Sequence, residues 1–241
     1  MTETDSGADF SGRTVVVTGA AGNLGAAVAA AFADRGANLV LVDLRRESLA
    51  DRFGPDGGGR LSVAADLVAP GAAGDVAAAA IARFGRIDVL CNIAGAFRMG
   101  DDVHETADET WNLLFDVNVR SVLHMVRAIV PRMLEAGGGN IVNVGASAAQ
   151  KGVAGMGAYT ASKSAVIRLT EAMAAELRER NINVNCVLPT VIDTPQNRAA
   201  MPDADPARWV SPADLARVIV FLASSAARAI HGAAIPVAGL S

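Results

Sequence analysis

The sequence predicts an α/β fold: one doubly wound parallel sheet of about seven strands, with helices on both faces. Short runs of β-branched and apolar residues alternate with alanine-rich, helix-like segments along the chain. The strand-like runs are apolar almost throughout, which is typical of strands that are covered on both faces. With 241 residues, of which 51% are hydrophobic and 19% charged, the chain is long enough to bury one large core.

Composition and charge argue against several classes of function. The net charge is −4 and no basic cluster favours nucleic acid. The sequence contains no run of about 18 uncharged apolar residues, so no membrane helix is predicted. Cys91 and Cys186 lie in apolar runs, which favours buried thiols in a reducing compartment such as the cytoplasm, and the three histidines lack metal-ligand spacing. We expect residues 1–10 to be a loose tail and residues 11–241 to be one domain.

The first strand and helix enclose a glycine turn. A β-branched run at 13–18 is followed by Gly-Ala-Ala-Gly-Asn-Leu-Gly and by an alanine-rich helix that ends near residue 35. Glycines let the backbone approach an anion, and a helix N-terminus presents free N–H groups and the positive end of its dipole. The turn is therefore a candidate phosphate site, with Gly19, Asn23, Leu24 and Gly25 as candidate cofactor contacts.

The second strand, 38–43, ends in a carboxylate. Asp43 follows the glycine turn at a distance where a carboxylate can accept both ribose hydroxyls of an adenosine. Because a carboxylate there repels a 2′-phosphate, we favour NAD over NADP. Arg45, two residues later, keeps a phosphate-binding role and NADP as an alternative.

The same alternation continues to the C-terminus. A polar, proline-rich segment at 189–212 follows the sixth strand, and we interpret it as a mobile flap. Further strands are predicted at 60–66, 86–91, 140–144, 182–188 and 234–237, and further helices at 72–84, 107–136, 156–179 and 213–223.

Tyr159 and Lys163 form a candidate proton-transfer pair. Tyr159 is the only tyrosine, and Lys163 is one of two lysines. Four residues apart on a helix, they share one face. A nearby ammonium favours the phenolate, so we expect the pKa of Tyr159 to be lowered toward a useful range. The alternative is a half-buried tyrosine that packs over a surface lysine.

These segments together resemble the short-chain dehydrogenase/reductase family, from about residue 11 to the end. The run 18–25 is similar to the family's cofactor turn, with Asn23 where glycine is more usual. The run 92–95, Asn-Ile-Ala-Gly, is similar to the family's Asn-Asn-Ala-Gly motif. Tyr159 and Lys163 match its catalytic pair, and Asn118 matches its helix asparagine.

The resemblance implies a Rossmann-type fold and hydride transfer to or from a nicotinamide, with Tyr159 as acid and base. Lys163 would lower the tyrosine pKa and bind the nicotinamide ribose, and Asn118 would hold a water that links Lys163 to solvent. Homodimers or homotetramers would form through the helices at 107–136 and 156–179. Further implied cofactor contacts are Asp66, Leu67, Asn92, Ala94, Gly95, Pro189, Ile192 and Thr194.

Two of these residues have a structural alternative. Asp66 could simply cap the segment that follows it. Thr194 could be an N-cap before Pro195.

The chain departs from the family at one catalytic position. Where the family has a serine thirteen residues before the tyrosine, this chain has Ala146, and Ser147 follows it. A shift of one residue on an extended segment turns a side chain to the opposite face, so Ser147 replaces the missing hydroxyl only if the backbone turns there. We expect the substrate pocket to be lined by the flap and by side chains around 97–104 and 147–156.

The missing serine leaves three hypotheses for the function. The first is an NAD-dependent oxidoreductase of a small alcohol or ketone. The second is a reductase of a pterin-like C=N substrate, since the flap resembles that of the dihydropteridine reductases, which lack the serine. The third is an NAD-binding regulator without catalysis.

Overall fold

Seven parallel strands form a single sheet in the computed structural model, which describes residues 9–241. The strands are Thr14–Thr18 (β1), Asn38–Asp43 (β2), Arg60–Ala64 (β3), Val89–Asn92 (β4), Gly139–Val144 (β5), Ile182–Pro189 (β6) and Ala234–Val237 (β7). Their order is β3-β2-β1-β4-β5-β6-β7, and every neighbouring pair is parallel. The predicted fold class is confirmed.

The helices cover both faces of this sheet. They are Asn23–Ala33 (α1), Arg46–Phe53 (α2), Ala72–Phe84 (α3), Asp108–Phe115 (α4), Ser121–Glu135 (α5), Gly157–Leu177 (α6), Pro195–Ala200 (α7) and Pro212–Leu222 (α8). Along β1, Val15 and Val17 face a core shared with α1 and α8, whereas Val16 faces a core shared with α3, α5 and α6. This alternation follows from the two-residue period of a strand, and it explains why both faces of each strand are apolar.

Three segments differ from the prediction. Helix α2 is absent from the prediction because its segment is polar and buries only Leu49, so it has no apolar stripe. The long helix predicted at 107–136 is divided by a turn of π-helix, Asp116–Arg120. The flap contains α7 and a short 3-10 turn, Pro206–Arg208, each of which begins with a proline.

Phe10, which was predicted to lie in the loose tail, belongs to the folded core. Phe10 is fully buried and its ring meets that of Phe32 edge-on, with centroids 4.8 Å apart. Residues 1–8 of the predicted tail lie outside the described residues.

The strand order reverses between β1 and β4. The chain runs from β1 to β2 and β3 on one side, and from β4 to β7 on the other. At such a reversal the loops after the strands diverge and leave a cleft at the carboxyl ends. Within residues 9–241, no helix has the length and apolarity needed to cross a membrane.

Candidate active site

A cleft of about 590 Å³ opens at this reversal. It is bounded by the glycine turn, by the ends of β2 and β3, by the loop after β4 and by the start of the flap. Of the predicted cofactor contacts, the structure brings these residues together in the cleft: Gly19, Asn23, Leu24, Gly25, Asp43, Asp66, Leu67, Ala94, Gly95 and Thr194.

The glycine turn is shaped so that α1 points its first N–H groups into the cleft. Gly19 has a φ of 63°, and a Cβ atom there would lie 2.9 Å from the Ala94 backbone. A Cβ atom on Gly25 would overlap the Gly19 carbonyl oxygen. No side chain caps α1 at Gly22, so the first N–H groups of the helix are left for a ligand. These are the features that a dinucleotide pyrophosphate requires, and the turn fits that group.

Asp43 ties β2 to the glycine turn. One carboxylate oxygen accepts a hydrogen bond from the Ala21 N–H at 2.9 Å, and the other accepts from the Leu44 N–H at 2.8 Å. Each oxygen has a further lone pair, so the side chain is able to accept ribose hydroxyls as well. Arg45 and Ser48 line the same end of the cleft. Ser48 was missed because it belongs to the unpredicted helix α2.

After β3, Asp66 has the capping role that was its structural alternative. The Asp66 carboxylate accepts a hydrogen bond from the Val68 N–H at 3.0 Å, so it caps the following turn as well as lining the cleft. The buried Leu67 places its carbonyl oxygen 2.9 Å from Nδ1 of His124. Val117 and Ser121 also line the cleft and carried no signal in the sequence.

The loop after β4 is fastened to β1. The Thr18 hydroxyl oxygen accepts hydrogen bonds from the N–H groups of Ile93 and Ala94, at 3.0 and 3.1 Å. Asn92, predicted to contact the cofactor, instead turns into the sheet, and its amide nitrogen donates to Oδ1 of Asn143 at 2.8 Å. This hydrogen bond occupies the amide nitrogen of Asn92, and the predicted cofactor contact of this residue stays a prediction.

Asn118 holds the same loop from the other side. It lies in the π-helical turn, a distortion that is frequent at functional sites. Its Oδ1 accepts from the Ala96 N–H at 2.8 Å, and its Nδ2 donates to the Ser162 hydroxyl at 3.0 Å. A Cβ atom on Gly95 would lie 3.1 Å from Asn118 Oδ1 and 3.2 Å from Lys163 Nζ. A side chain at residue 95 would therefore crowd both of these groups.

Tyr159 and Lys163 lie on α6 as predicted, but their pKa values differ from the expectation. Lys163 is 5% exposed, its Nζ donates to the Val144 carbonyl at 2.8 Å, and burial lowers its pKa to about 8. Burial raises the pKa of Tyr159 to about 12. The expected lowering by Lys163 is therefore wrong for this structure, because burial disfavours the charged phenolate and is the only cause of the shift.

The position of the missing hydroxyl is apolar. Ala146 is buried among Ala149, Val166 and Ile167, and Tyr159 packs against this cluster. Ser147 begins a 3-10 turn that ends at Gln150. Its contact with a substrate remains a prediction.

At the flap, Thr194 has the structural role that was its alternative, and its contact with the cofactor stays a prediction. Its hydroxyl accepts from the Asn197 N–H at 3.2 Å and caps α7, and the residue also lines the cleft. Pro189 is buried at the end of β6, and Ile192 pairs with Val210, so neither lines the cleft. The structure does not bring these two predicted contacts into it.

Comparison with known proteins agrees with this geometry. A family model described as short chain dehydrogenase matches residues 13–205. D-threitol dehydrogenase of Mycolicibacterium smegmatis is 37% identical over 240 residues, which cover 95% of this chain and 92% of that protein.

Two similar solved structures are described with a nicotinamide cofactor bound. A 3-ketoacyl-(acyl-carrier-protein) reductase from Brucella melitensis, complexed with NADH, is 31% identical with a TM-score of 0.86, and covers 95% of this chain and 98% of its own. A putative gluconate 5-dehydrogenase from Beutenbergia cavernae with bound NADP is 32% identical with a TM-score of 0.85. The match covers 97% of this chain and 98% of that chain.

The subgroup suggested by the flap is not supported. The relatives described above are named for a polyol, a sugar acid and a ketoacyl thioester, not for a pteridine. The similarity of the flap therefore does not identify a dihydropteridine reductase. The chain belongs to the short-chain dehydrogenase/reductase family, as an NAD(P)-dependent oxidoreductase of alcohol or ketone substrates.

Proposed function

We propose that the protein uses NAD(H) in preference to NADP(H), and that Asp43 determines this preference. Asp43 lines the cleft beside the glycine turn, where a carboxylate accepts ribose hydroxyls and repels a 2′-phosphate. Arg45 lies at the same end and supports the opposite preference. We favour NAD because Asp43 is fastened to the turn through Ala21, whereas the Arg45 side chain has no recorded hydrogen bond in residues 9–241.

Fluorescence titration with NADH and NADPH tests the cofactor preference. We expect wild-type protein to bind NADH more tightly, and Asp43→Asn to weaken NADH binding by about tenfold, since a hydrogen bond to a charged group is lost. Asp51→Asn removes the same charge from the exposed side of α2, away from the cleft, and should change nothing. Tighter binding of NADPH by the wild type would contradict the proposal.

We further propose that Tyr159 exchanges the proton with the substrate oxygen. The bound dinucleotide supplies a hydride acceptor or donor. With its raised pKa, the Tyr159 phenol holds its proton at neutral pH and donates it to a carbonyl oxygen that is being reduced. In the reverse direction the phenolate form of Tyr159 takes the proton of the alcohol. To the Lys163 ammonium, which lies beside Gly95, we assign the binding of the nicotinamide ribose.

Replacement of the only tyrosine tests this role. We expect Tyr159→Phe to lower kcat by about a hundredfold or more and to leave NADH affinity unchanged, because the phenol oxygen lies outside the lining of the cofactor cleft. Turnover that survives the substitution would reject Tyr159 as the acid. Tight NADH binding by wild type with no turnover of any alcohol or ketone would favour the regulator hypothesis instead.

A further inference from the structure

The loop that follows Ala96 covers Tyr159 with apolar side chains. The Phe97 ring meets the Tyr159 ring edge-on, with centroids 4.8 Å apart, and yet Phe97 is 47% exposed. Met99 and Val103 on the same loop are also exposed, although both are large and apolar. A cluster of exposed apolar side chains is part of a binding surface more often than an average patch of protein surface is.

This loop has a defined position on α6. The Gly100 N–H donates to the Gly155 carbonyl at 2.8 Å, just before the helix begins. A Cβ atom on Gly157 would lie 2.7 Å from a methyl group of Val103, so the loop packs closely on the first turn. The apolar side chains are therefore held beside Tyr159 by backbone contacts.

Tyr159 has a second apolar contact. It packs against the cluster that contains Ala146, Ala149 and Ile167. The raised pKa of Tyr159 has burial as its only cause, which agrees with these neighbours. Apolar side chains therefore contact Tyr159 from two parts of the chain, the loop at Phe97 and the cluster at Ala146.

The polar groups near Tyr159 are partly used by the loop itself. Arg98 donates to the Phe97 carbonyl at 2.8 Å, and the Thr106 hydroxyl donates to the Asp102 carbonyl at 3.0 Å. Thr110 and Asp101 line the small cavity beside Tyr159. Against the Phe97 ring and the Ala146 cluster themselves, a substrate with several hydroxyls would lose water without gaining hydrogen-bond partners, and such loss is costly.

We propose that Phe97 is a specificity-determining residue, and that the substrate is a secondary alcohol or ketone with an alkyl or aryl group beside the reacting carbon. This inference rests on the proposed function, since it concerns the substrate of the same Tyr159 site. It separates the chain from its relative that is named for the polyol D-threitol. The flanking group of the substrate packs on Phe97 and Ala146, and Tyr159 remains the partner of its oxygen.

Substrate competition tests the inference. We expect kcat/KM with NAD to favour 1-phenylethanol over threitol by about tenfold or more in the wild type. Phe97→Ser should lower this ratio by about tenfold, and Phe97→Leu should restore most of it. Phe221→Ser is the matched control, because Phe221 is 43% exposed on α8 and belongs to the other face of the sheet.

Calorimetric binding of acetophenone to NADH-loaded Tyr159→Phe gives a measurement without turnover. Weaker binding after a further Phe97→Ser supports the apolar contact at Phe97, even if no alcohol is oxidised and the proposed function fails. Faster oxidation of threitol than of 1-phenylethanol by the wild type would overturn the inference. Equal changes of the ratio in Phe97→Ser and Phe221→Ser would overturn it too.

Discussion

At the scale of single residues, the burial of the Lys163 ammonium lowers the stability of the fold. Its ammonium is buried and has one recorded protein partner, the Val144 carbonyl, so its pKa falls to about 8. A lysine with a lowered pKa loses its proton more easily in the folded state than in the unfolded state. The folded protein therefore bears an electrostatic cost wherever Lys163 is charged in both states.

The sign of the pH dependence follows from this difference. Below pH 8 the residue is charged in both states and the cost is complete; above its ordinary pKa of 10.5 it is neutral in both, and the cost is gone. We expect the free energy of unfolding of the wild type, relative to Lys163→Met, to rise by about 3 kcal/mol between pH 8 and 10.5. Urea denaturation of both proteins at several pH values measures it.

The second lysine provides the control for that experiment. Lys151→Met makes the same change at an exposed position in the loop before α6. A rise with pH that is as large for Lys151→Met as for Lys163→Met would contradict the assignment to the buried ammonium.

At the scale of elements, α7 is held across the cleft by a single side-chain contact. None of its residues is buried. Residues 193–205 form hydrogen bonds with residues of the flap itself, between 191 and 211, and with one residue outside it. That last hydrogen bond runs from the Asn23 amide nitrogen on α1 to Oε1 of Gln196, at 2.9 Å. Arg52 of α2 donates to Oδ1 of Asn23 at 3.5 Å, which turns the amide nitrogen toward Gln196.

We expect this contact to protect α7 from local opening. Asn23→Ala or Gln196→Met should speed hydrogen exchange at 195–200 by about three- to tenfold in cofactor-free protein, the effect of one exposed hydrogen bond. The double variant should open no faster than either single variant. Gln196→Glu keeps an acceptor and should restore protection.

The other glutamine provides a matched control for the α7 experiment. Gln150→Met makes the same change in the exposed 3-10 turn before α6 and should leave exchange in α7 unchanged. Additive effects of Asn23→Ala and Gln196→Met would show that the two side chains act separately, against the predicted contact.

At the scale of the whole molecule, helices α4 and α5 keep large apolar side chains exposed. Trp111 is 44% exposed and stacks on Phe115 of α4, with ring centroids 4.5 Å apart. Leu123, on α5, is exposed as well. Apolar helix faces of this kind are typical of contacts between copies of a chain.

We expect the protein to be a homodimer or homotetramer, with light scattering giving a multiple of the 24.6 kDa chain mass. Trp111→Glu should shift the mass toward the monomer by placing a charge in the contact. Leu44→Glu, a charge added at an exposed leucine beside the cleft, should not. A monomeric wild type would contradict the prediction.

By itself, the sequence determined the architecture and the turn that opens the cleft. Apolar runs, alanine-rich segments and the glycines at 19–25 are local signals, because strand and helix periods act over a few neighbouring residues. The same signals were enough to place Asp43 and Gly95 at one edge of the sheet. Helix α2 escaped because it buries a single residue and leaves no periodic pattern.

Only the tertiary structure decided how the side chains of the site are surrounded. The burial of Lys163, the inward turn of Asn92 and the ring of Phe97 against Tyr159 depend on residues far apart in the chain. The pKa of a side chain follows the solvent and charge around it, not its spacing in the sequence. A spacing of four positions from the tyrosine to the lysine predicted the pair, but packing raised the pKa of one and lowered that of the other.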